Sequence, residues 1–240
     1  MPALLDLFAL AVFAVAWFFY EPLLTAFGKK RGGVLNTDMM VIRRGWMTTF
    51  TGREVRLMDG QLIGHALNSA SFFASSNLLL IAAAAGALFG GESTFRSVSA
   101  LELIRTSSRL LFELQLALVL LTLARGLLDF IWSIRQFNYC LAAMGATPEP
   151  LAEAERARFG AVLARLLNPA LISFNSGVRG YYFALAAAAW LFGPWAFLAA
   201  TIGAVALLFV RQRYSPAAQA IHDFRVLLEA RDPAPPAPPS

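Results

Sequence analysis

Four polar side chains recur at helical spacing inside an apolar stretch and could carry proton or solute chemistry. Gln61, His65, Asn68 and then Ser75 or Ser76 follow one another at steps of four, three and seven or eight residues, which places them on one stripe of a helix. Because His changes charge near neutral pH, the stripe could line a polar pathway or a headgroup site. The same residue types also hydrogen-bond across helices in membrane bundles, at about 0.5–2 kcal/mol per contact. Asn77 lies off this stripe and needs a partner of its own, for which a neighbouring subunit is one source.

Charged residues lie at both ends of a second apolar segment. Arg125 and Asp129 are four residues apart and can pair on one helix face. Such a pair in a helix bundle is more often structural than catalytic. Glu113, at the other end, has Arg109 as its local basic neighbour. In hydrocarbon, Glu113 would need a partner from another helix or would be protonated at pH 7.

A third group of candidates lies between residues 168 and 182. Asn168-Pro169 predicts that the helix beginning at Pro148 ends there. Gly177 and Gly180 then predict a break ahead of the last apolar run. Such an interrupted entry to a span is typical of a re-entrant element or ligand site, and equally of a turn with an interfacial arginine.

Arg179 stands between these two glycines, where its guanidinium can reach a lipid phosphate or the carbonyls at a helix end. A charge at the edge of a long apolar run is costly unless it is paired or reaches the interface. We expect Asp129 and Asn175 to be its partners within the protein.

The elements that position these residues are predicted to be membrane spans. Neither Gly60–Gly91 nor Gly180–Val210 contains an Asp, Glu, Lys or Arg, whereas about 20 apolar residues suffice to cross a bilayer. A mean hydropathy of +0.60 with 58% hydrophobic residues also indicates a membrane protein. We predict an all-α membrane bundle in one domain, residues 1–231, with a disordered Pro/Ala-rich tail, residues 232–240. The predicted spans are residues 3–20, 62–89, 110–131 and 181–210, with Gly193-Pro194 kinking or restarting the last.

A basic amphipathic helix is predicted after Asn36 or Thr37. Arg43, Arg44 and Trp46 would contact anionic lipid headgroups if this helix lies on the membrane surface. The alternative is a helix docked on the bundle itself. Lysine and arginine are more frequent in the two long loops than on the opposite side, so the positive-inside rule predicts cytoplasmic loops and external termini in a bacterial inner (plasma) membrane.

Several function classes lack support in the sequence. The single Cys140 excludes an intrachain disulfide, and His65 and His222 are too far apart in sequence to indicate a metal site. Without a nucleotide loop or nucleophile motif, we predict no cofactor and no enzymatic activity. A lipid-modifying enzyme with His65 or Glu113 as base would need a second positioned group. The net charge of +5 indicates headgroup contact and topology rather than nucleic-acid binding.

Two functional hypotheses follow. The first is a homo-oligomeric scaffold or lipid-binding membrane protein, since Ala82–Ala85 and Ala186–Ala189 favour close helix packing. The second is a channel or carrier whose polar pathway is lined by the second and third spans, with Arg179 near its mouth. No transported solute or ion is indicated by the sequence.

Five short motifs carry a resemblance to a known family. In order they are RRGWM at 43–47, ALNS at 66–69, IWSIRQFNY at 131–139, FNSGVRGYYF at 174–183 and GPW at 193–195. Together they resemble the domain of unknown function 599 family, polytopic membrane proteins of bacteria and plants. The resemblance covers nearly the whole chain except the tail, and it implies a multi-pass membrane fold but no activity. At Gly64-His65-Ala66-Leu67-Asn68 the chain departs from the Thr-Leu-Arg-Asn-like run expected of the family, because it has no arginine there.

Overall fold

The computed structural model describes residues 4–30, 35–99 and 108–231, and these residues form helices and turns, without a strand. The predicted tail, residues 232–240, lies outside the described residues. The helices are α1 (Leu4–Lys30), α2 (Leu35–Thr51), α3 (Leu57–Phe89), α4 (Gly91–Ser99), α5 (Arg109–Gly145), α6 (Glu153–Ala189), α7 (Pro194–Arg213) and α8 (Pro216–Arg231). The predicted all-α helical bundle is confirmed.

Three stretches of the described chain are long and apolar enough to cross a membrane, by length and composition: Leu57–Phe89, Arg109–Gly145 and Pro194–Arg231. A shorter apolar helix covers Leu4–Tyr20. The first three predicted spans each fall within one helix, α1, α3 and α5. The protein is therefore a membrane protein, as its composition predicts.

The fourth predicted span, residues 181–210, is not one helix. α6 ends at Ala189, a 3-10 turn covers Trp190–Phe192, and Gly193 has φ 108° and ψ 168°. Pro194 then restarts the chain as α7, because its fixed φ and missing N–H suit the first turn of a helix. The Trp190 ring stacks on Phe197 with centroids 5.0 Å apart, so α7 folds back along α6.

The predicted helix stop at Asn168 and the predicted break at Gly177–Gly180 are both wrong. α6 runs without interruption from Glu153 to Ala189, with Pro169 inside it. A Cβ on Gly177 would lie 2.7 Å from the Phe130 ring, and one on Gly180 would lie 3.3 Å from the Cα of Gly126. These glycines permit close contact between α5 and α6; they do not interrupt the helix.

Two apolar cores are joined by the long helices α5 and α6. The first contains α1, α7, the end of α6 and the start of α5, with Phe13, Phe183 and Phe197 at its centre. The second contains α2, the start of α3, the end of α5 and the start of α6, around Met47 and Phe137. The 37-residue helices α5 and α6 are each about 55 Å long, longer than the ~30 Å core of a bilayer, and the second core lies at one end of both.

The two long loops and the C-terminal helix lie together at that end. Arg56 donates to the carbonyls of Thr147 (2.7 Å) and Pro148 (3.0 Å), which joins the loops. Arg225 of α8 donates to the buried carboxylate of Asp38 on α2 at 2.8 Å. The prediction that both termini lie opposite the long loops is therefore wrong for the C-terminus. Its physical reason is the extra hairpin between α6 and α7, which reverses the chain once more.

Candidate functional site: polar residues of the helix bundle

A cleft of about 770 Å³ opens between α1, α5 and α6, and polar and aromatic groups share its walls. Its polar wall is formed by Arg125 and Asp129 from α5 and by Ser176 and Arg179 from α6. Its aromatic and apolar wall includes Trp17, Phe18, Tyr20 and Phe183. The close α5–α6 contact at the helix glycines brings the two polar helix faces together here.

Asp129 accepts two hydrogen bonds within this cleft. Arg125 Nε donates to Asp129 Oδ2 at 3.3 Å, and Ser176 Oγ donates to the same oxygen at 3.0 Å. The predicted pairing of Arg125 with Asp129 on one helix face is therefore present. The Arg125 side chain is 62% exposed and Asp129 is 17% exposed, so the pair lies at the mouth of the cleft. Ser176 was missed by the sequence reasoning, although its position three residues before Arg179 places it on the same helix face.

Arg179 is buried, with 8% of its surface exposed, and lies in the same cleft as its predicted partner Asp129. Asn175, its other predicted partner, is half-buried one turn earlier on α6. The structure thus brings Arg179 near Asp129 on a continuous helix, rather than on the interrupted segment predicted from the glycines.

We expect Arg179→Ala to lower the thermal stability of the purified protein, because it removes a buried guanidinium from the wall between α1, α5 and α6. Arg179→Lys should restore only part of the loss, since an ammonium group lacks the planar fork of five donors. The matched control is Arg125→Ala, which removes a largely exposed guanidinium from the same cleft and should cost less. Wild-type melting of Arg179→Ala would show that the buried arginine is dispensable.

The polar stripe of α3 faces outward. Gln61, His65, Asn68 and Ser75 are all exposed. The buried face of α3 consists instead of Asp59, Ile63, Ala70, Ala74 and Asn77. Because the stripe is exposed, it lines no pathway inside one chain among the described residues, and the buried polar groups of α3 are Asp59 and Asn77.

Asn77 finds its partner within the chain. Its Nδ2 donates to the carbonyl of Leu123 on α5 at 2.9 Å, and its side chain is 1% exposed. The absence of a side chain at Gly126 makes room for it, since a Cβ there would lie 3.3 Å from Asn77 Nδ2. Asn77 therefore joins α3 to α5 and does not require a neighbouring subunit.

Two of the three predicted headgroup contacts on α2 are engaged by the protein itself. Arg43 is 5% exposed and donates to Asn168 Oδ1 on α6 at 3.3 Å, and this burial lowers the pKa of its guanidinium to about 10. Trp46 Nε1 donates to Asp59 Oδ1 at 2.6 Å. Arg44 remains exposed. Of the two interpretations of α2, the structure shows a helix docked on the bundle.

Two further acidic groups of the apolar helices, Glu113 and Asp6, are also paired. Glu113 accepts from Arg109 Nε at 2.7 Å, so its partner comes from its own helix rather than another. Asp6 in α1 is 6% exposed and accepts from Trp190 Nε1 at 2.8 Å. A buried carboxylate held by an indole N–H ties α1 to the turn between α6 and α7.

Arg158 and Arg165 were not singled out from the sequence as site residues. They are exposed on α6 and line a second cleft with Arg44 of α2. Their spacing of seven residues, two helical turns, is the signal that could have placed them on one face. Within the described residues there is no group of three or more His, Cys, Asp or Glu side chains that could hold a metal ion.

Comparison with known proteins gives one match. A family model described as "Protein of unknown function, DUF599" matches residues 8–217, from α1 to the start of α8. No curated protein and no solved structure matches the chain.

Proposed function

Because the chain belongs to the DUF599 family, whose function is unknown, we propose from the structure that it is a homo-oligomeric membrane scaffold that binds lipids and carries no catalytic activity. Its two long loops face the cytoplasm of a bacterial inner (plasma) membrane. The outer face of α3 supports the proposal, because α3 is the least buried of the three span-length apolar stretches in the described part of the chain: only 11% of its most apolar residues are buried.

The outer face of α3 changes character along its length. Gln61, His65 and Asn68 occupy its N-terminal part, and Ser75 begins a more apolar part that ends with Ala82 and Gly86. A 33-residue helix is about 50 Å long, so its polar end extends past an approximately 30 Å hydrocarbon core. The polar end suits hydrogen bonds to a second copy at the membrane surface.

The apolar end supports close packing between two copies of α3. Ala82 and Gly86 are four residues apart on the face that holds Ser75, and no atom lies within 4 Å of a Cβ placed on Gly86. Small residues at this spacing let membrane helices approach closely, and an exposed serine gains a partner there. Lipid chains offer neither the close backbone contact nor a hydrogen bond.

The chain has a second apolar surface that could compete with α3 as the contact between copies. A groove of about 700 Å³ between α1 and α7 is lined almost entirely by apolar side chains, among them Val12, Val15, Ile202 and Val205. Such a surface suits acyl chains, since it carries few groups that would distinguish a protein from lipid. It therefore serves as the control surface for self-association.

Cysteine cross-linking tests the α3 contact. In a Cys140→Ala background, we expect Ser75→Cys to form a covalent dimer on oxidation in membranes, because a two-fold contact places equivalent residues near each other. Ile202→Cys also places a thiol on an exposed helix surface, but in the α1–α7 groove, and this variant should stay monomeric. Cross-linking at Ile202 without cross-linking at Ser75 would refute the α3 interface.

A steric variant measures the same contact without cysteine. Gly86→Trp should dissociate the oligomer in nanodiscs, whereas Gly203→Trp should leave it intact. Both glycines face open space within one chain, so each variant should fold, and only Gly86 lies on the proposed interface. Size-exclusion chromatography with light scattering gives the mass directly, and an unchanged mass for Gly86→Trp would contradict the proposal.

The second candidate function is a channel or carrier, favoured by the exposed polar stripe itself. If several copies formed a ring with their α3 helices facing its centre, the stripe would line the lumen between subunits. The lining residues would be Gln61, His65, Asn68 and Ser75. Cysteines at positions 65, 68 and 75 would then react with membrane-impermeant thiol reagents at all three depths. Reaction at 65 and 68 with protection at 75 favours the packed scaffold over the channel.

A further inference from the structure

We propose that the cleft between α2 and α6 is a binding site for the headgroup of an anionic phospholipid. This inference deepens the lipid-binding part of the proposed function and rests on the membrane location, but it does not depend on self-association through α3. The cleft has a volume of about 670 Å³. Its lining residues are Met40, Val41, Arg44, Arg158, Ala161, Val162, Ala164, Arg165 and Asn168.

The three arginines of this cleft are exposed and have no hydrogen-bond or ion-pair partner among the described residues. Most other arginines in the described part of the chain are engaged: Arg53 with Asp59, Arg96 with Glu92 and Arg225 with Asp38 are examples. Three unpaired guanidinium groups around one cleft repel each other, and a bound anion removes that repulsion.

The cleft walls are apolar between the arginines. Met40 and Val41 come from α2, and Ala161 and Val162 come from α6. A soluble anion such as inorganic phosphate has no apolar part to contact these walls. A phospholipid has both, because its phosphate is joined to glycerol and acyl chains. Arginine is suited to the phosphate because its planar donors can bind two oxygens at once.

The depth of the cleft agrees with a headgroup. After Arg165, α6 carries no charged side chain from Leu166 to Val178. At about 1.5 Å per residue, Arg158 lies about 10 Å before Arg165 along the helix axis. Each headgroup layer is about 5–8 Å thick, so Arg165, next to the uncharged run, suits a phosphate within that layer, and Arg158 lies farther out on the aqueous side.

A buried hydrogen bond joins α2 to α6 beside the cleft. The buried Arg43 donates to Asn168 Oδ1, and Asn168 itself lines the cleft. Arg44, the next residue of α2, lines the same cleft as Arg165. Removing Arg44, Arg158 or Arg165 should leave the fold intact, because all three are exposed.

Lipid binding to the purified protein tests this site. Phosphatidylglycerol should bind in native mass spectra and raise the melting temperature, whereas phosphatidylcholine and inorganic phosphate should do neither. Arg165→Gln and Arg44→Gln should each weaken phosphatidylglycerol binding about tenfold, as expected for loss of one charge-assisted contact. Arg231→Gln is the matched control: Arg231 is also exposed and has no partner among the described residues, but it lies at the end of α8, so its loss should not change binding.

A second variant tests the space in the cleft separately from the charge of its arginines. Ala161→Trp keeps all three arginines and fills the space between them, so it should also weaken phosphatidylglycerol binding about tenfold. Equal losses for Arg231→Gln and Arg165→Gln would indicate unspecific attraction and overturn the site. Stabilisation by inorganic phosphate alone would overturn the lipid assignment. Cross-linking at Ser75 in the same samples reports self-association separately, so failure of one proposal is distinguishable from failure of the other.

Discussion

Gly160→Ala is expected to separate α2 from α6 and to lower the melting temperature by about 5–10 °C. A Cβ on Gly160 would lie 2.6 Å from the Cα of Thr48 and 2.7 Å from its backbone nitrogen. Backbone atoms cannot rotate away as a side chain can, so α2 must move. Overpacking of this kind costs about 1–3 kcal/mol or more, and each kcal/mol shifts the melting temperature by about 2–4 °C in a chain of this size.

The matched control is Gly203→Ala, the same chemical change in the interior of α7, where nothing lies within 4 Å of the new Cβ. It should be neutral or stabilising by about 0.4–1 kcal/mol, because alanine restricts the unfolded chain. Limited trypsin digestion adds a local measurement, since release of α2 would expose the buried Arg43 to cleavage. If Gly160→Ala melts and resists trypsin as the wild type does, the close approach of Thr48 to Gly160 is not required.

Gly193→Ala should disrupt the hairpin between α6 and α7. Gly193 has φ 108° and ψ 168°, a conformation open essentially to glycine alone. A side chain there costs about 1–3 kcal/mol if the turn persists. If the turn shifts instead, the stack of Trp190 on Phe197 and the hydrogen bond from Trp190 to Asp6 are lost as well.

The melting temperature and the tryptophan fluorescence of purified Gly193→Ala measure this effect. Gly203→Ala again provides the same substitution at an ordinary helical φ. Pro194→Ala tests the other half of the turn and should cost less than Gly193→Ala, because alanine also suits the first position of a helix. A Gly193→Ala protein as stable as Gly203→Ala would show that the turn tolerates a side chain.

The glycine positions illustrate why local sequence signals misplaced the elements of this fold. Gly177 and Gly180 predict a break when read along the chain, because glycine is the weakest helix former apart from proline. In the structure their missing side chains admit Phe130 and Gly126 of α5, and packing across the helix pair outweighs the local preference. A single sequence does not distinguish these two uses of glycine, since the difference depends on what lies opposite.

The polar stripe on α3 shows the same limit for the candidate site. Periodicity correctly places Gln61, His65, Asn68 and Ser75 on one helix face, because helical spacing is a property of the chain itself. The assumption that this face is the inner one is wrong, and Asp59 and Asn77 are buried instead. Which face of a helix is covered depends on its neighbours, which periodicity alone does not specify when both faces carry polar groups.

The sequence by itself determined the class of protein, the all-α architecture, the family and the positions of α1, α3 and α5. These follow from run lengths of apolar residues and from short motifs, both of which are local and need no knowledge of contacts. The tertiary structure decided that α6 is one helix, that α7 folds back along it, and that α8 lies beside α2. It also decided which arginines are paired and which surround an open cleft. Those properties depend on groups far apart in the sequence, such as Arg43 with Asn168, and they exist only after packing has brought those groups together.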